Sequence, residues 1–323
     1  MVKFERLGVV LAPENEYQAK FNAGMIEADG KVHMLYRYCE KIERWHGKAI
    51  DWLNLNGEFP YRKNYICYAG LNLDGTVQHD ANEPVIVPET AFESVGCEDP
   101  RIVCFEGSYY IFYTAYDTKK ARVGIARTED FISYEKMGII DNFTLDKDAF
   151  IFPERIQGKI AYIHRIEPNI QLDYVDSFEE LLAPETWAGY ESRVEATTIM
   201  RSAHEFEAGK IGGGVPPIKT AKGWLFIYHG VDLASVYHIG AALLDLEDPS
   251  KVLARLPYPV LSPEADFETQ GDYNGCVFAQ GYFIQDGEIY VSYGTADKYT
   301  AIAKINLQHL LDELEQHRSL LQL

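Results

Sequence analysis

DGKVHMLYR (29–37), EGSYYIFYT (106–114), QGKIAYIHR (157–165), KGWLFIYHG (222–230) and DGEIYVSYG (286–294) are five versions of one pattern. Each has a turn Gly, a short strand, and an aromatic residue or His six positions after the Gly: Tyr36, Tyr113, His164, His229 and Tyr293. The Gly supplies the positive φ of a tight turn. The strand is apolar at nearly every residue, which predicts burial on both faces. Second strands follow several copies, in VGIARTEDFISYEKMG, IGAALLDLEDPSKVLA and AIAKINL. Strand, Gly turn, strand and Asp-containing turn make an antiparallel meander. The copies recur roughly 50 to 80 residues apart, near the size of a four-stranded propeller blade with its loops.

The reading is therefore an all-β chain, a five-bladed β-propeller forming one domain over 1–323. A β-sandwich is the alternative, but it has little reason to repeat one offset five times. Propellers place their sites at the central channel, so polar residues at these strand ends should point toward the axis. Arg37 and Arg165 follow the +6 residue in copies one and three. Two segments depart from the repeat. Residues 38–65 read as an insertion in the first blade, where Trp45, His46 and Trp52 either stack on a sugar or pack the insertion itself. Residues 306–323 read as a C-terminal helix, N-capped by Asn306, with Leu307, Leu310, Leu311 and Leu314 as its apolar stripe. That stripe packs on a blade edge or on another subunit, so a homo-oligomer is one expectation.

Composition narrows the partners. With 30 Lys and Arg against 49 Asp and Glu, the formal net charge is −19. Such a surface repels nucleic acid and anionic membranes. Five Cys with no CxxC argue against a disulfide framework or a zinc knuckle. The first residues, MVKFERLGVV, lack a signal-peptide core, and no apolar run is long enough for a membrane span. These features predict a cytoplasmic location. The 22 Tyr and 16 Phe favour strands and suit a groove that stacks on sugar faces.

Two clusters carry chemistry. In GCEDPRIVCFEG, Glu98 and Asp99 stand before an apolar strand, Pro100 holds Asp99 extended, and Arg101 adds a fixed charge. A carboxyl with a second carboxylate beside it is placed to have a raised pKa, as a general acid at neutral pH requires. The plainer reading is a loop Asp that caps a turn. The second cluster is basic: Lys147, Arg165, and Lys210 with His229 at the two ends of KIGGGVPPIKTAKGWLFIYHG. On neighbouring blades these groups can hold a dianion, Arg bidentately and Lys as a point charge. The plainer reading is scattered surface charge, and Gly212–Gly214 alone lack the context of a nucleotide loop.

GCEDPRI, FPERIQGKIAYIHR, KIGGGVPPIKTAKGWLFIYHGV and YGTAD resemble, in order, the motifs of glycoside hydrolase family 130, the mannoside phosphorylases. The likeness runs from about Asn22 to Asp297. It implies a five-bladed propeller and a single catalytic acid, here Asp99. It implies phosphate ligands at Lys147, Arg165, Lys210 and His229, with Lys147 where Arg is common. It implies sugar contacts at Asn22, Arg37, Arg101 and Asp297, with Glu98 beside the acid. Asn274 and Tyr293 are further candidates, and Tyr293 reads better as a core aromatic. No metal and no cofactor are implied; inorganic phosphate is the co-substrate and a small oligosaccharide the partner.

The implied reaction is inverting phosphorolysis. Phosphate attacks the anomeric carbon of a β-mannosyl unit, and Asp99 protonates the leaving oxygen by way of the mannose 3-hydroxyl. The products are α-mannose 1-phosphate and a shortened sugar. Phosphate is already an anion, so the second carboxylate of an inverting hydrolase is not needed. The alternatives are a β-mannosidase of the same family, a five-bladed glycosidase of arabinanase or invertase type, and a non-catalytic sugar-binding propeller. Intact Lys210 and His229 favour phosphorolysis. Among linkages, β-1,2-mannobiose or β-1,2-oligomannan is preferred to β-1,4-mannosyl-glucose, -mannose or -N-acetylglucosamine.

Overall fold

The computed structural model describes residues 1–41, 44–45, 48–49 and 62–318. Its strands run β1 (Glu5–Leu11), β2 (Gln18–Ala28), β3 (Lys31–Lys41), a two-residue pair β4 (Arg44–Trp45) and β5 (Lys48–Ala49), β6 (Arg62–Leu71) and β7 (Val77–Ile86). There follow β8 (Gly96–Phe105), β9 (Ser108–Tyr116), β10 (Ala121–Thr128), β11 (Glu135–Ile140), β12 (Lys147–Ile151), β13 (Ile160–Arg165), β14 (Ile170–Val175) and β15 (Thr198–Met200). The last are β16 (Lys210–Gly213), β17 (Ile218–Thr220), β18 (Gly223–Val231), β19 (Tyr237–Leu244), β20 (Val252–Arg255), β21 (Val277–Gln285), β22 (Glu288–Thr295) and β23 (Tyr299–Asn306).

Pairing sorts them into five antiparallel units: β2-β3-β6-β7, β8-β9-β10-β11, β12-β13-β14-β15, β16/β17-β18-β19-β20 and β21-β22-β23-β1. The first two are joined by a single parallel pair, Asn64 with Gly96. The fifth unit is completed from the other end of the chain, with Glu5 opposite Lys304 and Leu11 opposite Thr300. First strands are neighbours: β2 packs on β8, β8 on β12, β12 on β16, and β21 back on β2.

Four of the five Gly turns are two-residue hairpins in which both residues have positive φ: Asp29-Gly30, Glu106-Gly107, Gln157-Gly158 and Asp286-Gly287. That is the turn whose twist matches the strands it joins. The fourth copy differs from expectation. Its turn is Ala221-Lys222, and Gly223, at φ 149°, opens the strand instead.

The strands following these turns are buried on both faces, most completely β13 and β18. The apolar clusters they feed lie between consecutive units. Leu35 and Ile66 meet Ile102 and Ile111; Phe112 meets Tyr162; Phe150 meets Phe226; Ile227 and Leu243 meet Val277 and Val291; Phe283 and Ile302 meet Met25 and Met34.

Three connections share a device that sequence reading overlooked. Phe92-Glu93, Phe206-Glu207 and Phe267-Glu268 stand shortly before β8, β16 and β21. Each Glu is fully buried, and its carboxylate accepts two backbone N–H groups from its own turn. Each also meets one cation: Lys136, Arg255 or Arg6. Tyr113 and Tyr293, two of the +6 residues, donate their hydroxyls to Glu93 and Glu268 at 2.8 and 2.9 Å. Tyr293 is thus a core aromatic.

The ends of the expected 38–65 insertion are ordinary strand: Tyr38 pairs with Tyr65 and Cys39 with Asn64. The side chains of Trp45, His46 and Trp52 lie outside the described residues. The C-terminal helix spans Leu307–Gln316, capped by Asn306 accepting from the His309 N–H at 3.0 Å. Leu310, Leu311 and Leu314 are buried between the fourth and fifth units. No helix among the described residues is long and apolar enough to cross a membrane.

Candidate active site

The first strands of the first three units carry the same interruption. Pairing slips between Phe21 and Gly24, between Glu98 and Arg101, and between Lys147 and Phe150. In each bulge the second residue is Asn or Asp in left-handed backbone: Asn22 at φ 51°, Asp99 at 52° and Asp148 at 54°, so the extended backbone expected for Asp99 ahead of Pro100 gives way to the bulge. Asn and Asp tolerate that region better than other side-chain-bearing residues. A bulge re-aims a side chain that the pleat would turn aside. Here it delivers three Asx side chains to one cavity.

That cavity is lined by Asn22, Arg37, Asp99, Lys147, Asp148, Arg165, Lys210 and Asp297, with Tyr237, Tyr273, Cys276 and Phe278 as its apolar side. All five units contribute. Asp99 is 4% exposed. Its Oδ1 accepts from Asn22 Nδ2 at 2.9 Å and from Arg37 Nη1 at 3.2 Å, leaving Oδ2 without a hydrogen bond among the described residues. Arg37 also donates to Glu98 at 2.9 Å and, through Nε, to Asn64.

The expectation of a raised Asp99 pKa is overturned. Burial pushes the carboxyl up, but Arg37, Lys147, the Asn22 hydrogen bond and Arg101 together hold it below the usual carboxylate range. Glu98, expected to crowd it, has its charge engaged by Arg37 instead.

Lys147 and Arg165 are opposite each other on β12 and β13. Arg165 Nε lies 3.1 Å from Asp148 Oδ2, and its Nη2 lies 3.3 Å from Glu167. Lys210 Nζ donates to the same Glu167 oxygen at 3.0 Å. The Lys147 ammonium makes no salt bridge or hydrogen bond among the described residues.

Asp148 is the residue that the basic cluster is built around. Its Oδ1 accepts from Arg101 at 3.1 Å, and its Oδ2 faces Arg165 and, at 3.6 Å, His229 Nε2. Burial raises its pKa, and Arg165, Arg101 and His229 more than reverse this. The glycines beside Lys210 serve this packing. A Cβ on Gly212 would come within 2.4 Å of the His229 ring and 2.7 Å of Asp148, and one on Gly213 within 2.7 Å of Phe150.

Five expected residues are placed differently. Arg101 is fully buried, donating to the carbonyls of Gly213 and Gly214 at 3.0 Å, to that of Asp99, and to Asp148. It clamps the second unit to the fourth beneath the cavity. His229 is also fully buried, behind Asp148, and burial with the nearby Arg and Lys charges lowers its pKa to about 3, so the ring is neutral. Asn274 is exposed, accepting from the Gly271 N–H. Glu98 lines a second cavity that shares Arg37 and Lys147 with the first. His164, at a +6 position expected to point toward the axis, is absent from the cavity lining and sits in a buried network with Asp146, Asp173 and Tyr190.

Asp148, Glu167 and the aromatic side were not anticipated. Asp148 was within reach: FNAGMI (21–26), EDPRIV (98–103) and KDAFIF (147–152) align with Asx second in each.

The same sequence also finds relatives. A family profile described as beta-1,4-mannooligosaccharide phosphorylase matches residues 62–316. A 1,2-beta-oligomannan phosphorylase of Thermoanaerobacter sp. (strain X514) is 35% identical over 96% of this chain and 99% of its own length. A beta-1,2-mannobiose phosphorylase of the same strain is 35% identical over 92% of this chain and 94% of its own. The solved structure of a β-1,2-mannobiose phosphorylase from Listeria innocua, in complex with β-1,2-mannobiose, has a TM-score of 0.79 at 26% identity, covering 96% of this chain and 97% of that one. A profile over most of the chain, and 35% identity along nearly all of it, establish that the chain belongs to glycoside hydrolase family 130, the mannoside phosphorylases.

Proposed function

We propose that the protein cleaves β-mannosides by phosphorolysis with inversion, at the axis of a five-bladed β-propeller, with β-1,2-linked mannobiose or oligomannan as substrate. The propeller reading draws on five antiparallel units of four or five strands, whose first strands neighbour one another and whose apolar clusters return from the fifth unit to the first. The linkage follows the names of the Thermoanaerobacter and Listeria relatives.

One observation carries the mechanism: Asp99, Lys147, Arg165 and Lys210 line a single cavity. Phosphate enters beside the three cations, which neutralise it and orient it toward the anomeric carbon. His229, neutral and buried behind Asp148, does not reach the phosphate and acts by backing the Asp148 carboxylate. The mannosyl ring meets Asn22, Arg37 and Asp297, with Tyr237, Tyr273 and Phe278 offering faces for its C–H groups. Arg101 acts from below, fixing the positions of Asp99 and Asp148. Asp99 relays a proton through the mannose 3-hydroxyl to the leaving oxygen. It is ionised in the empty site, and the negative charge that phosphate brings raises its proton affinity when the proton is needed. No cofactor enters the scheme, and the cytoplasm, where phosphate is abundant, is the compartment we assign.

The experiment is turnover of β-1,2-mannobiose with and without inorganic phosphate, by the wild type and by Asp99→Asn. Mannose 1-phosphate should form only with phosphate. The variant should keep its affinity for the mannoside and lose about two to four orders of magnitude in rate. Free mannose released equally fast without phosphate would make the protein a hydrolase.

A further inference from the structure

Glu167 takes no part in the steps above, yet it is placed on the cations that those steps use. A single oxygen, Oε1, accepts from Lys210 at 3.0 Å and lies 3.3 Å from Arg165 Nη2. The charge of Lys147 bears on it as well. All three cations assigned to phosphate therefore act on one carboxylate. The turn that carries it is fixed: the Ile211 N–H donates to the Pro168 carbonyl at 3.0 Å, and Gln171 Oε1 accepts from the Ile166 N–H at 2.7 Å. The carboxylate itself is 45% exposed at the end of a flexible side chain, so it can swing into water while the turn stays in place.

We propose that Glu167 is an internal counter-anion that occupies the phosphate cations of the empty enzyme and swings out when phosphate enters, thereby setting the affinity and anion selectivity of the site. This rests on the phosphorylase reading. A monoanion that displaces Glu167 replaces one negative charge with one, and gains little. A phosphate dianion replaces one with two, and gains the difference. The carboxylate thus filters out chloride and similar ions while weakening phosphate itself. It is a poor general base, since burial would raise its pKa but Arg165 and Lys210 hold it below its ordinary value.

The test is calorimetric titration of inorganic phosphate, without sugar, into the wild type and Glu167→Gln. The variant should bind phosphate roughly three- to ten-fold more tightly, and added chloride should weaken that binding more than in the wild type. In turnover, the KM for phosphate should fall while the KM for mannoside stays within about two-fold. Equal or weaker phosphate binding by the variant overturns the inference, and so does absence of binding in both proteins. The phosphorylase reading is judged separately, by the phosphate dependence of wild-type turnover.

Discussion

Asp99 shares its Oδ1 between the Asn22 amide and the Arg37 guanidinium, and Lys147 and Arg101 add their charge from nearby. Two adjacent carboxyls suggested mutual repulsion. The fold instead engages Glu98 with Arg37 and surrounds Asp99 with cations and an amide donor, so the empty site holds a carboxylate. On the proposed mechanism, the acid forms only once phosphate is bound. The pH dependence should record this. The alkaline limb of kcat, which reports the complex, should lie at higher pH than that of kcat/KM at low phosphate, which reports the free enzyme. Coincident limbs would mean that phosphate does not load the proton.

The same scale supplies a second pH effect, away from the cavity. His164 is fully buried, with Nδ1 2.8 Å from Asp146 and Nε2 3.1 Å from Asp173. Burial alone would lower its pKa, but the two carboxylates raise it to about 9. A pKa raised on folding contributes stability that is fully present below the unfolded value of about 6.5 and is lost as pH rises through the folded one. The melting temperature should therefore fall between pH 7 and pH 10. His164→Gln should lower it more at pH 7 than at pH 10, and an equal loss at both would show that the imidazolium contributes no charge.

Among elements, the first strands and the connections before them carry most of the organisation. Bulges in β2, β8 and β12 set Asn22, Asp99 and Asp148 into one cavity. The Phe-Glu turns before β8, β16 and β21 anchor those strands by a carboxylate with its backbone donors and a cation. Removing one member of such a buried pair leaves the other uncompensated. Glu268→Ala, which strands the partly buried Arg6 and the Tyr293 hydroxyl, should cost about 3 kcal/mol in denaturant unfolding. A loss under about 0.5 kcal/mol would show that the pair contributes no more than an exposed ion pair. The turn glycines show how far local rules reach. Four of the five form the two-residue turn that their Asp-Gly-like sequences predict. The fourth does not, because Ala221-Lys222 takes the turn and moves Gly223 into the strand.

For the molecule as a whole, the decisive contact is between its ends. β1 is the fourth strand of a unit whose other three lie at residues 277–306, and Arg6 reaches Glu268 across that seam. Deleting residues 1–11 should leave β23 as an unpaired edge and expose Ile302, which packs with Leu11 and Met34. The truncated chain should aggregate or melt far below the wild type in a thermal scan. A truncated protein with unchanged melting would mean that the fifth unit stands without its N-terminal strand.

What the sequence determined was everything carried by short-range pattern. Gly turns followed by apolar runs specify the repeated strand, and the Asn306-capped Leu stripe specifies the helix, because turn geometry and amphipathicity are local. The motifs around Asp99, Arg165 and Lys210 identified the family for the same reason. What the tertiary structure alone decided was how charges meet across units: Arg101 turned from sugar contact to clamp, His229 neutral behind Asp148, and Glu167 resting on the phosphate cations. Those outcomes depend on distances between residues tens of positions apart, and electrostatic energy follows distance and burial in space, which no spacing along the chain encodes.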